Sequence, residues 1–172
     1  MNFEKPINIH HWIERHREYL KPPVCNKLVF KENGFIIMVV GGPNTRKDYH
    51  YEEGPEFFYQ IEGDMVLKII NSSGVPEDVT IKEGEFFLLP AKIPHSPQRF
   101  ENTVGLVVER TRLEGEMDGL MWYCDHCNTK LFEKYFVLEN IEKDLPKVFE
   151  EFYSSENNRT CKNCGSVMAT PS

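Results

Sequence analysis

No apolar run in this chain approaches the roughly 18–20 residues that a membrane span needs. The opening Met1-Asn2-Phe3-Glu4-Lys5 also lacks the basic-then-apolar pattern of a secretory leader. Neither a span nor a leader is expected, and a cytoplasmic address follows by default. Basic residues are in short supply: 20 Lys and Arg stand against 27 Asp and Glu, for a formal net charge of -7 and a pI near 5.4. Such a chain repels polyanions overall, which disfavours a nucleic-acid partner. Internal repeats and low-complexity tracts are missing as well. Cysteine is sparse, 5 in 172 residues, and in a reducing compartment closely paired cysteines are metal ligands rather than disulfides. What is present is ordinary for a globular protein, 40% hydrophobic and 12% aromatic residues, enough for one packed core and a small appendage but not for two full domains.

Asn8 is placed to cap a short amphipathic helix carrying Ile9, Trp12, Ile13 and Leu20, which Lys21-Pro22-Pro23 should stop. From Lys27 to Arg110 the pattern turns to short β-type runs: 28–30, 35–40, 57–61, 65–70, 78–81, 85–89 and 104–110. Clusters of Gly, Pro, Asn and Ser divide them. Many short strands at even spacing predict a sandwich or barrel, and a jelly roll accommodates a metal pocket in its mouth. Residues 1–110 therefore read as a mainly β catalytic domain with an N-terminal helix. Residues 111–172 read as a charged linker and an appendage, in which Asp144 and Pro146 open a helix with Leu145, Val148, Phe149, Phe152 and Tyr153 on one face.

Two segments carry ligand spacing, Asp48-x-His50-x5-Glu56 and Gly84-x5-Pro90-x4-His95. Two imidazoles and one carboxylate hold a divalent metal with positions left open, the signature of non-haem iron(II) that handles dioxygen. Side chains two apart on a strand share a face, so Asp48 and His50 point the same way. The stretches 42–63 and 84–99 fit the two cupin motifs, with departures. Asp48 stands where a histidine is usual, five residues precede Glu56, and Lys92 and Arg99 replace a Gly and an Asn. His10, His11 and His16 have no carboxylate in register and suit surface or packing roles. A second, closed signature is Cys124-x2-Cys127 with Cys161-x2-Cys164, four thiolates for tetrahedral coordination. His126 between the first pair should face solvent, and Cys25 is left over as a small buried residue, with a reactive thiol as the alternative.

Lys21-Pro22-Pro23-Val24, Gly41-Gly42-Pro43-Asn44, Arg46, Asp48-Tyr49-His50, Glu56-Phe57-Phe58-Tyr59-Gln60, Leu89-Pro90, His95-Ser96-Pro97 and Trp122-Tyr123-Cys124 resemble the 3-hydroxyanthranilate 3,4-dioxygenase family from end to end, in the form with a C-terminal cysteine appendage. The resemblance implies a cupin jelly roll and a homodimer. It implies catalytic Fe2+ on His50, Glu56 and His95, and a rubredoxin-like iron on Cys124, Cys127, Cys161 and Cys164, whose ligands zinc would fit equally. The implied reaction joins O2 to 3-hydroxyanthranilate and opens its ring to 2-amino-3-carboxymuconate semialdehyde, on the kynurenine route to quinolinate and NAD. Arg99 matches the family's carboxylate anchor, Arg46 the arginine near the oxygen site, and Glu109 the glutamate that contacts the substrate hydroxyl. Asn26 matches a position near the pocket. Residue by residue, Arg46 and Arg99 could instead be surface charges or pair Asp48 and Glu109, and Glu109 could be a solvated strand end. Another iron cupin acting on a small aromatic acid, or a non-enzymatic metal-binding cupin, are the rival functions, and a zinc ribbon is the rival for the sulfur site, against which Asp125, Glu133, Glu150, Glu151 and Glu156 interrupt any basic face.

Overall fold

The computed structural model describes residues 5–22 and 25–170, and the side chains of Ile141 and Glu142 are outside the described set. Pro23 and Val24, part of the expected helix stop and of the resemblance, lie outside it, as do Met1–Glu4. In chain order the elements are α1 Ile9–His16, a 3-10 turn Arg17–Leu20, β1 Asn26–Glu32, β2 Phe35–Gly41, β3 Asp48–Tyr51, β4 Glu56–Glu62, β5 Met65–Ile70 and β6 Pro76–Ile81. There follow β7 Phe86–Leu89, β8 His95–Arg99, β9 Val104–Arg110, β10 Asp118–Tyr123, β11 Lys130–Phe136, α2 Ile141–Tyr153 and α3 Glu156–Arg159. No described helix is long and apolar enough to cross a membrane.

The strands form two antiparallel sheets, a five-stranded one in the order β1-β2-β9-β4-β7 and a six-stranded one in the order β11-β10-β3-β8-β5-β6. Phe58, Leu89 and Val107 of the first sheet meet Met65, Leu67 and Ile81 of the second in the main core. Each such side chain, fully buried, contributes about 1.5–3 kcal/mol. The Asn8 side chain accepts from the His11 amide at 3.0 Å, which caps α1 as the sequence predicts. Ile13 and Leu20 then pack on Val39 and Val104 of the first sheet.

β3, β8, β10 and β11 lie outside the runs read from the sequence as strands. Asp118–Leu120, expected to end a linker, opens β10, which pairs with β3 through Leu120↔His50 and Trp122↔Asp48. α2 begins ahead of Asp144, capped by Asn140, while the Asp144 carboxylate accepts from the Glu139 and Asn140 amides just outside it. Its apolar face is the expected one: Val148 and Phe152 are buried, with Leu145, Phe149 and Tyr153 packed around them on Trp122.

Candidate active site

Period-two alternation builds the pocket. On β8 it turns His95, Pro97 and Arg99 one way; on β4, Glu56 and Phe58; on β9, Val107 and Glu109; on β2, Met38 and Val40. All of these line one cavity of about 170 Å3 between the sheets, together with Asn26, Arg46, His50 and Arg112. Leu138 and Leu145 from the C-terminal stretch close one side. Every residue predicted for the catalytic pocket is therefore brought to the same space.

His50 and His95 are directly paired across β3 and β8, and their ring centroids lie 5.5 Å apart. Each imidazole has one nitrogen engaged. His95 Nδ1 lies 2.9 Å from the Ile93 carbonyl, and His50 Nε2 lies 2.8 Å from Asp118 Oδ1. Both contacts suit an N–H donating outward, which leaves His95 Nε2 and His50 Nδ1 as the nitrogens with lone pairs to give. His95 Nε2 sits 2.6 Å from Glu56 Oε2, yet that buried oxygen has no hydrogen-bond donor among the described residues. A nitrogen and an oxygen 2.6 Å apart need a proton or a metal ion between them, and with a third donor within 4.8 Å of each the set fits a divalent cation in that place.

Electrostatics point the same way. Glu52, Glu56, Glu109 and Asp118 are all buried around one guanidinium, Arg112, which contacts Glu52, Glu109 and Asp118. Burial works against the Glu56 charge, but His95 and then His50 outweigh it and hold the carboxyl at about 2. Burial, with Glu109 close by, pushes Glu52 up to about 9, and burial with Glu56 nearby also raises Glu109. A cation between the histidines would relieve this crowding.

The two predicted arginines differ. Arg46 forks onto Asp48, with Nη2 at 2.5 Å and Nε at 3.2 Å, so the pairing open in the sequence is made. Arg99 does not pair with Glu109. It is 3% exposed, donates to Gln60 Oε1 at 2.8 Å and has no ion pair among the described residues. Burial lowers its guanidinium to about 10, still a cation at neutral pH, and a buried cation without a counter-ion is a site for an anion. Gly105 makes room for it: a Cβ there would stand 2.3 Å from Gln60 Oε1 and 2.7 Å from Arg99 Nη1. Glu109 has Arg112 as its partner, at 2.5 Å.

Sequence reasoning missed Arg112, Asp118 and Glu52. Asp118 did carry a signal, since a charge heading the apolar run Gly119–Trp122 must be paired.

At the other end of β10, four sulfurs gather. Cys124 and Cys164 are 3.6 Å apart, Cys127 and Cys161 3.5 Å, Cys127 and Cys164 3.6 Å, and all are free thiols. A tetrahedron with metal–sulfur bonds of about 2.3 Å has edges of about 3.8 Å, so the set fits a metal and not disulfides. The knuckles match each other: Asn128 donates to the Cys124 carbonyl and Gly165 to that of Cys161, both at left-handed φ, 58° and 75°. His126 is exposed, as expected, and Cys25 is half-buried.

A family model described as 3-hydroxyanthranilic acid dioxygenase matches residues 1–153. A relative named 3-hydroxyanthranilate 3,4-dioxygenase from Xanthomonas campestris pv. campestris (strain B100) is 58% identical over 166 residues, 96% of this chain and 93% of that one. A human relative of the same name is 53% identical over 159 residues, 92% of this chain and 55% of the longer human protein. Among solved structures, a cupin-2 domain containing protein from Shewanella frigidimarina superposes with a TM-score of 0.50 at 15% identity, over 61% of this chain and 94% of that one. That likeness concerns the fold alone, a cupin jelly roll.

Proposed function

This chain belongs to the 3-hydroxyanthranilic acid dioxygenase family, and from that premise we propose that it is a non-haem iron(II) enzyme that opens the ring of 3-hydroxyanthranilate with O2. The product is 2-amino-3-carboxymuconate semialdehyde, which serves the kynurenine route to quinolinate and NAD. The observation that carries the reading is Arg99, a buried cation with no ion pair among the described residues, in the same cavity as His50, Glu56 and His95. An aromatic acid supplies the missing anion. An ortho-aminophenol supplies the chelating pair that an open, one-sided ligand set accepts.

His50 through Nδ1, His95 through Nε2 and Glu56 through Oε2 would hold Fe2+. When bound, iron supplies the redox link between the chelated ring and dioxygen that zinc cannot. The protein's own work is positioning. Arg99 fixes the substrate carboxylate by a charge-assisted fork, and Asn26 and Arg46 stand at the cavity edge. Glu109 accepts the substrate's hydroxyl proton; it lies opposite Glu56 across β9 and β4, on the metal side of the cavity. Leu138 and Leu145 keep water from the ring face.

The sulfur cluster, filled by iron or zinc, is closed and structural, and it falls in the appendage at 111–172, while the iron ligands fall in the catalytic part at 1–110. Cysteines grouped as metal ligands rather than disulfides support a reducing, cytoplasmic setting, and the net charge of -7 argues against nucleic acid. Exposed Phe86 and Leu88 on the edge strand β7 support a homodimer.

Anaerobically loaded with iron(II) and given 3-hydroxyanthranilate, the protein should consume one O2 per substrate. No uptake under reducing conditions overturns the assignment.

A further inference from the structure

The connection between β9 and β10 holds a side chain that the functional reading does not use. Arg112 Nη1 donates to Glu109 Oε2 at 2.5 Å. Its other edge forks onto Asp118, Nη2 to Oδ1 at 2.7 Å and Nε to Oδ2 at 3.2 Å. Nη2 also lies 2.7 Å from Glu52 Oε2, an ion contact without hydrogen-bond geometry. Asp118 Oδ1 in turn accepts from His50 Nε2 at 2.8 Å. One guanidinium therefore touches the group that faces the substrate hydroxyl and the group that orients a metal ligand.

We propose that Arg112 is a positioning residue for ring cleavage, fixing Glu109 toward the substrate and, through Asp118, fixing the His50 ring toward the metal. The inference rests on the functional reading above. Three carboxyl groups this close and this buried need partners, and a cation with several directed donors satisfies them together. A lysine offers the charge from a single point and cannot span both edges. Arg112 lies outside the sheets, so its place is set by these bonds and by the anchoring of its own connection: Arg110 forks onto Glu116, and Glu116 accepts from the Leu113 amide at 2.7 Å. Misplacing Glu109 should slow the chemical step more than it weakens binding, because Arg99 still holds the carboxylate.

The test compares Arg112→Lys, Arg112→Gln and Asp118→Asn with the wild type. Four readouts are taken: circular dichroism, iron affinity under anaerobic conditions, kcat and KM, and the electron paramagnetic resonance spectrum of the nitric oxide adduct of the iron(II) protein. Arg112→Lys should fold, lose at least tenfold in kcat with KM within about threefold, and show an altered adduct spectrum. Arg112→Gln and Asp118→Asn should in addition bind iron at least tenfold more weakly. A Lys variant with kcat within twofold of wild type and an unchanged spectrum overturns the proposal. Should Arg112→Gln fail to fold, Asp118→Asn decides the metal arm: weakened iron binding in a folded protein supports the proposal, unchanged binding overturns it. Iron affinity and the spectrum need no turnover, so a wild type that takes up no oxygen would defeat the functional reading while leaving Arg112's role to be read from them.

Discussion

At Arg99 the pocket holds a buried charge that makes no ion pair among the described residues. Removing it should leave the metal donors in place while depriving the substrate of its anchor. Arg99→Ala is expected to retain iron and to weaken substrate binding by roughly 10²-fold, about 3 kcal/mol, measured by anaerobic titration; unchanged affinity refutes the anchor. His50, Glu56 and His95 were legible because each sits in a motif at fixed spacing on one strand or its flank, whereas the roles expected of Arg46 and Arg99 came through the family resemblance. Arg112 and Glu52 were not, because they act across the fold: Arg112 meets Glu109 three residues back and Asp118 six residues on, with no regular element between to set a period. Gly105 was likewise silent, since its task is to be small beside a guanidinium that only the folded sheet brings there.

Strands with one buried face read clearly: β4 alternates through Glu56, Phe58 and Gln60, and β9 through Val107 and Glu109. β3 and β8 did not, because their inward positions are polar side chains, Asp48, His50, His95 and Arg99, which inverts the usual pattern. β10 is buried at Asp118 through Trp122, covered on both sides by the barrel and α2, so it shows no alternation. The connection before it depends on the Arg110–Glu116 fork. Arg110, with the Leu113 amide, holds the Glu116 carboxyl at about 2, below its ordinary 4.5. A lowered carboxyl contributes stability that is complete above its ordinary value and is lost as pH falls through the folded one. Glu116→Gln should therefore melt up to a few degrees lower than wild type at neutral pH. The two curves should converge between pH 4.5 and 2, and a gap that persists at pH 2 would refute the assignment.

Across the whole molecule, β10 joins two centres, His50 through Asp118 at one end and Cys124 at the other. Trp122 between them stacks on Phe152 at 4.3 Å, so α2 packs on β10 beside the sulfur cluster, and α2 supplies Leu145 to the pocket wall. Cys161→Ser should cost stability first. A loss of about 3 kcal/mol lowers the melting temperature by roughly 6–12 °C in a chain of this length, while kcat stays within a fewfold and KM rises as the wall loosens; a folded variant with no turnover would contradict a structural role. The jelly roll and the paired knuckles were legible from spacing, whereas the sharing of β10 between centres depends on pairing that no local pattern records. The ligand set has a consequence for how the enzyme acquires its metal. Two imidazoles and one carboxylate converging on a point will take up whichever divalent ion is abundant as the chain matures. Nitrogen and oxygen donors favour zinc and copper over iron at equal supply, so protein made in zinc-rich medium should be well folded, fully loaded and inert.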